Sequence, residues 1–410
     1  MTAASPDNFV FNPYAPGHNV DPVPAYHRLL EQAPVYWWER GRAFLVSKYH
    51  DVVGVMKDPR LSRSPRDSNN YQPPPEVPGQ EDARKASNSS ILIASPADHL
   101  RLRRLVNPAF SPRAVEKLRE QTRQLTLEAI SRLPAGDVVN LAAVAEYIPL
   151  RVIGRLLDIP PEMEEEFLTF SRCRLELVNP ILPAARREEL MQGVGLGYRA
   201  VSKLIARRRV EPGEDLLSVL IHHEEEGTRL SEPELLGLVA AMIVAGSDTT
   251  VHTIRFMLLD LLQRPALLER ARQEPALARA VMEESLRYNN FNLLGAPAHA
   301  LEDLEIRGTP VAKGQTVIVL TGAASRDGEV FVRPDEFDVD RPDLARASFN
   351  FGAGPHTCLG AHIARLEGEV VLHTVLESFP EMSLAGPPVF APHGYFRAIS
   401  DLPVRVRASA

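Results

Sequence analysis

One helical pattern near the middle of this 410-residue chain restricts its possible folds more than any other feature. Apolar residues recur with helical spacing over 231–263, and "SEPE" at the start places Ser231 and Glu234 as a capping box. Pro265 follows directly after the pattern. A helix of about 33 residues is roughly 50 Å long, which is enough to cross a whole domain. The rest of the chain is therefore expected to assemble around a central rod.

Composition excludes several classes of protein. Hydrophobic residues make up 44% of the chain, and a formal charge of −7 gives no basic excess for binding nucleic acid. The start of the chain, 1–22, lacks the basic and apolar regions of a signal peptide. The longest apolar run, 235–246, is about eight residues short of a membrane span. Cys173 and Cys358 lie far apart in the sequence and form no disulfide framework, which is consistent with a cytoplasmic protein. We expect a monomer without membrane or nucleic-acid partners.

The remaining patterns predict a mainly α-helical chain with small β-sheets. Helical stripes dominate from about 98 to 284, while strands are expected at about 30–60 and 295–322 and near the C-terminus. We expect one domain over 1–410, and no fused reductase domain because only 50 residues follow Gly360. Segment 62–90, rich in Pro, Ser and Asn, reads as a long loop that gates a pocket.

The segment "FGAGPHTCLG" at 351–360 has glycines that permit close approach of a neighbour, and it precedes a predicted helix. Cys358 would therefore lie at or just before a helix N-terminus, where free N–H groups favour a thiolate. A buried structural cysteine is one alternative, and a nucleophile with His356 as its base is another. Structural zinc would need further ligands at close spacing, and the sequence has none nearby. A lone thiolate suits a metal whose other positions are filled by a macrocycle, as in haem iron.

The wider segment "FNFGAGPHTCLG" resembles the haem-binding signature of the cytochrome P450 family, Phe-x-x-Gly-x-x-x-Cys-x-Gly. Phe351, Gly354, Cys358 and Gly360 stand at the matching positions. The resemblance implies the cytochrome P450 fold, with the long central helix over a heme b group. It also implies that Cys358 is the axial ligand of the iron, that Phe351 packs by the sulfur and that His356 donates to a haem propionate.

A second motif, "AGSDTT" at 245–250, interrupts the apolar run of the long helix and resembles the family's oxygen-activation motif. Its glycine and threonines are disfavoured inside a helix by about 2 kcal/mol in total. Thr249 can bond back to the carbonyl of Ala245 and open the helix beside Gly246. The resemblance implies that O2 is the co-substrate and that Asp248 and Thr249 are catalytic proton donors. An exposed polar patch is the alternative interpretation.

In "EESLR", Glu284 and Arg287 share one helix face and resemble the family's structural Glu-x-x-Arg pair. The sequence departs from the family at two places. Glu336 stands where many relatives carry an arginine that joins this pair, and Arg341 is the nearest replacement. The family's usual Arg-x-Ala is "AHA" here, which leaves open whether His299 replaces the missing arginine.

Two larger sets complete the expected site. His99 and Arg103, one helical turn apart, match the family's propionate-binding pair. The implied cofactor-binding residues are His99, Arg103, Ala245, Gly246, His299, Phe351, Gly352, His356, Cys358 and Gly360. The expected pocket residues are mostly apolar, and they are Leu238, Met242, Ala245, Leu293, Leu294, Gly295, Ala296, Tyr395 and Phe396.

The implied function is haem-thiolate monooxygenation, in which one oxygen atom of O2 hydroxylates or epoxidises a lipophilic small molecule. A terpenoid, steroid or polyketide-like substrate is expected, with electrons from a ferredoxin and its reductase. A peroxide-using haem-thiolate enzyme and a catalytically silent recruitment protein are the alternatives. Both types tend to lack the acid and alcohol pair, which is present here as Asp248 and Thr249.

Overall fold

The computed structural model describes residues 9–73, 80–177, 182–224, 229–391 and 396–407. Tyr395 lies outside these ranges. The α-helices in them are α1 (Val23–Gln32), α2 (Tyr49–Lys57), α3 (Glu81–Asn88), α4 (Pro96–Val106), α5 (Pro112–Glu116), α6 (Arg119–Ser131), α7 (Ala142–Leu156), α8 (Glu164–Glu176), α9 (Ala184–Val210), α10 (Leu216–His222), α11 (Glu232–Leu262), α12 (Pro265–Gln273), α13 (Leu277–Asn289), α14 (Thr321–Ala324) and α15 (Ala361–Ser378).

The strands are short, and they contain far fewer residues than the helices. They are β1 (Val35–Trp38), β2 (Ala43–Val46), β3 (Leu61–Ser62), β4 (Val138–Asn140), β5 (Pro297–Ala300), β6 (Leu304–Ile306), β7 (Thr309–Val311), β8 (Thr316–Val319), β9 (Glu381–Leu384), β10 (Val389–Phe390), β11 (Ile399–Asp401) and β12 (Pro403–Arg407). This confirms the predicted fold class, mainly α with small β-sheets.

The chain folds into two compact units, each built from separate segments. Unit 1 comprises the described residues within 1–72, 259–358 and 388–400, and unit 2 those within 73–258, 359–387 and 401–410. The expectation of one domain over 1–410, with no fused reductase domain, stays a prediction.

A five-stranded sheet in the order β1-β2-β8-β5-β3 organises unit 1. Strands β2 and β8 are parallel, with Leu45 opposite Ile318. Successive side chains of a strand point to opposite faces. In β8, Val317 and Val319 accordingly join one apolar cluster with Phe331, while Ile318 joins the other cluster. Both faces of the sheet are therefore covered by core, which explains why β8 is apolar at nearly every position.

Unit 2 is mainly helical, with a three-stranded sheet in the order β4-β12-β9. Its long helix α11 begins and ends within one residue of the predicted 231–263. The carboxylate of Glu234 accepts hydrogen bonds from the backbone N–H of Ser231 at 2.8 Å and from its hydroxyl at 2.9 Å. Helix α11 is long and apolar enough to cross a membrane, but 67% of its most apolar 18-residue stretch is buried inside the protein, as expected for a core helix.

Segment 62–90 differs from its prediction as a long loop. The helix α3 lies within it, and 74–79 fall outside the described residues. Helix α3 buries only Ala83 and Ala86, whose small side chains give a weak apolar signal in the sequence. A Cβ on Gly237 of α11 would clash with the backbone carbonyl of Ala86, so the two helices pack closely. The loop prediction is wrong for this part, and we do not retain a gating role for it.

A fully buried carboxylate, Asp260, lies near the C-terminal end of α11. It accepts hydrogen bonds from the Ser285 hydroxyl at 2.7 Å and the Asn289 amide at 2.6 Å, and Arg264 lies 3.3 Å away. Burial raises the pKa of Asp260 from 3.8 to about 6, although these three partners act to lower it. Burial outweighs the partners because it disfavours the charged form.

We expect Asp260→Asn to change how stability depends on pH. A raised pKa means that the folded protein holds this proton more tightly than the unfolded chain does. The stabilisation is complete below the unfolded pKa and is lost as pH rises through about 6, at a cost on the order of 3 kcal/mol by pH 7. Thermal unfolding of wild type and variant between pH 4 and 7.5 measures the difference.

Asp340→Asn is the matched control, because Arg270 lowers the pKa of this exposed carboxylate. The difference in stability between wild type and Asp340→Asn should therefore change with pH in the opposite direction. Parallel curves for wild type and Asp260→Asn would show that Asp260 gains no proton near pH 6.

Candidate active site

The cysteine segment of unit 1 forms a tight loop between a 3-10 helix, Leu344–Phe351, and α15. The backbone N–H of Cys358 donates to the carbonyl of Phe351 at 2.6 Å and closes the loop. Gly352 and Gly354 have φ angles of +84° and +73°, which side chains rarely adopt. A Cβ on Gly354 would also come within 3.1 Å of Lys57. The two glycines thus set the shape of the loop, and Cys358 is exposed three residues before α15 begins.

The carboxylate of Glu284 holds two arginines in the interior of unit 1. Arg287 donates to it in a bidentate pair at 2.7 and 2.8 Å, and Arg341 donates from Nε at 2.9 Å. The backbone N–H of Asp338 adds a further bond at 2.8 Å. Arg341 thus joins the Glu284–Arg287 pair, while Glu336 contributes only its backbone carbonyl to both guanidinium groups.

His299 lies on β5 and is buried, with its Nδ1 3.1 Å from the hydroxyl of Thr316. Burial and the nearby charge of Arg63 lower the pKa of His299. Arg63 follows β3 directly, and Ser62 of β3 pairs with His299 across the sheet. Sequence reasoning missed Arg63 because it stands in the segment that was interpreted as a loop, and no motif marks it.

One face of α11 in unit 2 is open. Beyond the first turn, the exposed or half-buried residues of α11 are Ala241, Val244, Ala245, Gly246, Asp248 and Thr249, and all of them except Gly246 lie on this face. The hydroxyl of Thr249 donates to the carbonyl of Ala245 at 2.7 Å, as expected from the sequence. The acid and the alcohol therefore share one face with small apolar side chains. Ala241 and Val244 were missed, although their spacing from Ala245 was a usable signal.

Other predicted residues of α11 lie elsewhere on the helix. A Cβ on Gly246 would come within 2.7 Å of the Ile153 side chain of α7, so this glycine permits helix packing. Leu238 and Met242 are buried. Side chains that line an enclosed pocket are shielded as well, so their assignment to a pocket stays a prediction.

His99 and Arg103 lie one turn apart on α4 of unit 2. His99 is buried, and this burial together with the charge of Arg103 lowers the pKa of His99 to about 4. The imidazole is therefore neutral at pH 7 and can donate one N–H to an anion. Arg103 is half-buried and keeps its charge.

The remaining pocket predictions fall in unit 1 and divide by burial. Leu293 is buried, and Leu294 packs with Tyr26 and Leu29 in an apolar cluster. Their assignment to a pocket stays a prediction. The N–H of Gly295 donates to the carbonyl of Val319 at 3.1 Å. Two residues are accessible: Ala296 is exposed, and half-buried Phe396 packs with its ring centroid 5.6 Å from that of Phe291.

Comparison with known proteins identifies the chain. The sequence profile of the family described as cytochrome P450 matches residues 202–384. An epothilone C/D epoxidase of Sorangium cellulosum is 39% identical over 409 residues, which cover 98% of this chain and 96% of the relative. The chain belongs to the cytochrome P450 family.

Two further similarities extend over nearly the whole P450. A mycinamicin IV hydroxylase/epoxidase of Micromonospora griseorubida is 33% identical over 94% of each chain. The crystal structure of an epothilone D-bound cytochrome P450epoK superposes with a TM-score of 0.90 at 36% identity, over 98% of this chain and 100% of that one. The protein is thus a monooxygenase with a haem cofactor, and it acts on a small molecule with the help of redox partner proteins.

The residues of this P450 fit a haem group. No cluster of three or more His, Cys, Asp or Glu side chains that could hold a metal occurs in the described part of the chain. A porphyrin supplies the equatorial ligands of its iron, so a single exposed thiolate suffices as the protein ligand. A Cβ on Gly360 would meet no described protein atom within 4 Å, so the chain itself does not crowd the backbone beside Cys358.

We expect Cys358 to be that ligand. Sulfur ligation gives the reduced carbon-monoxide complex its red-shifted absorption band, and Cys358→His should abolish the band because imidazole pushes less electron density onto the iron. Difference spectroscopy of the purified holoprotein measures this. Cys173→Ser is the control, since Cys173 is the other cysteine of the chain, and its band should remain. An unchanged band in Cys358→His would contradict the assignment.

Proposed function

We propose that this P450 hydroxylates or epoxidises a lipophilic, polyketide-like macrocycle. The proposal is supported by the activities for which its relatives are named. They include an epothilone epoxidase, a mycinamicin hydroxylase/epoxidase and a P450 of polyketide biosynthesis, PksS of Bacillus subtilis. These relatives align along nearly the whole chain, so the substrate-binding segments are included in the similarity.

The open face of α11 supports a bulky, weakly charged substrate. Ala241 and Ala245 have small side chains, and half-buried Val244 adds apolar surface between them. Ligand pockets are mostly apolar and carry few polar groups. Asp248 and Thr249 are the polar side chains of this face, and we assign them to chemistry rather than to substrate recognition.

The bound haem supplies the reductive activation of O2, and the protein supplies protons. We propose that Thr249 delivers a proton from its hydroxyl, which turns away from the Ala245 carbonyl to do so. Asp248, half-exposed one residue earlier, takes protons from water and renews the supply. The intact pair favours an O2-dependent oxygenase over a peroxide-using enzyme or a silent recruitment protein.

For the propionates we propose His99, Arg103 and His356 as donors. We also propose that Arg63, rather than His299, takes the role of the family arginine that this sequence lacks. The ring nitrogen Nδ1 of His299 already contacts Thr316, so the ring can offer at most one other N–H, whereas the Arg63 guanidinium has several donors and gives one of them to the Ala296 carbonyl. A guanidinium keeps its charge and binds carboxylates in a bidentate geometry. We further propose a cytoplasmic monomer that receives electrons from a ferredoxin and its reductase.

The test of the function is a titration of the holoprotein with defined compounds. Epothilone D and mycinamicin IV should shift the haem absorption band, while a steroid and a long-chain fatty acid should do so more weakly. Incubation with redox partners and labelled O2 should add one labelled oxygen atom to the macrocycle. Turnover of the steroid or fatty acid alone would contradict the substrate class. A complete lack of O2-dependent product would contradict the monooxygenase function.

We expect Thr249→Ala to uncouple reductant consumption from product formation. Without the hydroxyl, protons arrive less efficiently, so product per NADPH should fall at least about tenfold while hydrogen peroxide rises. Thr374→Val is the control, because the Thr374 hydroxyl donates to the Val370 carbonyl at the same 2.7 Å within α15. Equal coupling in wild type and Thr249→Ala would exclude Thr249 from the relay.

A further inference from the structure

The proposed proton donor Asp248 has a buried partner on its own helix. The imidazole of His252, one turn further along α11, places its Nε2 3.3 Å from Oδ2 of the carboxylate. The side chain of His252 is 5% exposed, whereas that of Asp248 is 38% exposed. The carboxylate is therefore held at the surface of the open face by a group that is fixed in the core.

Two arginines lie near this pair but are engaged by another acid. Glu146 of α7 accepts from Arg255 at 3.0 Å and from Arg172 of α8 at 3.4 Å. Arg255 also donates to the backbone carbonyl of Ala142 at 3.1 Å. These bonds direct both guanidinium groups toward α7. In the described part of unit 2, His252 is the basic side chain that lies within 4 Å of the Asp248 carboxylate.

The charge of Asp248 depends on these neighbours. Burial acts to raise its pKa, but the hydrogen bond from His252 and the charges of His252, Arg255 and Arg172 outweigh burial, so the net pKa lies below its usual value. At neutral pH the group is an ionised carboxylate. It can therefore accept a proton from water and return to the same state after passing the proton on.

We propose that His252 is the positioning residue of Asp248 and that Glu146 keeps the two arginines from displacing it. His252 binds Oδ2, which leaves Oδ1 to exchange protons with water and with the Thr249 side of the face. The proton that enters at Oδ1 leaves from Oδ1, so the carboxylate is regenerated and His252 need not release a proton. This inference rests on the proposed role of Asp248 in proton supply.

The test compares His252→Leu, which removes the donor, with His252→Gln, whose amide can still donate to Asp248. In the holoenzyme, His252→Leu should lower product per NADPH about fivefold, and the acid side of its pH profile should move to higher pH because Asp248 loses the partner that lowers its pKa. His252→Gln should remain within about twofold of wild type.

A second readout needs no turnover. In thermal unfolding of the holoprotein, His252→Leu and Asp248→Asn should be non-additive, because each removes the same contact. Thr374→Val is the matched control: it removes a buried hydrogen bond within α15, from Thr374 to the Val370 carbonyl at 2.7 Å, and should add independently to Asp248→Asn. Retention of the thiolate band shows that each variant is folded around its haem.

The outcomes separate this inference from the proposed function. Additive unfolding effects, or an unshifted pH profile in His252→Leu together with uncoupling in Asp248→Asn, would overturn the role of His252 and leave that of Asp248 standing. Wild-type coupling in Asp248→Asn would overturn both.

Discussion

One buried carboxylate, Glu284, fixes a long irregular part of unit 1. The described chain over 325–343 contains no helix or strand, so no backbone ladder holds it in place. Arg287 and Arg341 hold it instead, because each bonds Glu284 and also donates to backbone carbonyls of this segment. Buried charges are tolerated only when such partners satisfy them, and losing one partner typically costs several kcal/mol. After this segment come the 3-10 helix Leu344–Phe351 and then the loop that carries Cys358.

Features that depend on local sequence were predictable. The ends of α11 follow from apolar periodicity and a capping box, and the bond from Thr249 to Ala245 follows from the reach of a threonine side chain to the preceding turn. The position of Cys358 before a helix follows from its glycines and the apolar pattern after it. Each of these needs only residues that are close together in the sequence.

Features that depend on distant neighbours were missed or wrong. Arg63 lies beside His299 only because β3 pairs with β5, and the two residues are more than two hundred positions apart. Leu294 packs with Tyr26 and Leu29, and no local pattern in the sequence indicates this contact. The single short pattern of α3 was too weak to compete with the Pro and Ser content around it. Tertiary packing decides such cases, and one sequence does not display it.

The packing of Gly246 has a consequence for redesign of this enzyme. Two adjacent positions of α11 have separate duties: Ala245 borders the open face, while Gly246 lets α7 approach through Ile153. Libraries intended to change substrate size can therefore vary Ala241, Val244 and Ala245 without disturbing how the two helices pack. Randomising Gly246 in the same library would force the Ile153 side chain to move, and this repacking between α7 and α11 would obscure any change in selectivity.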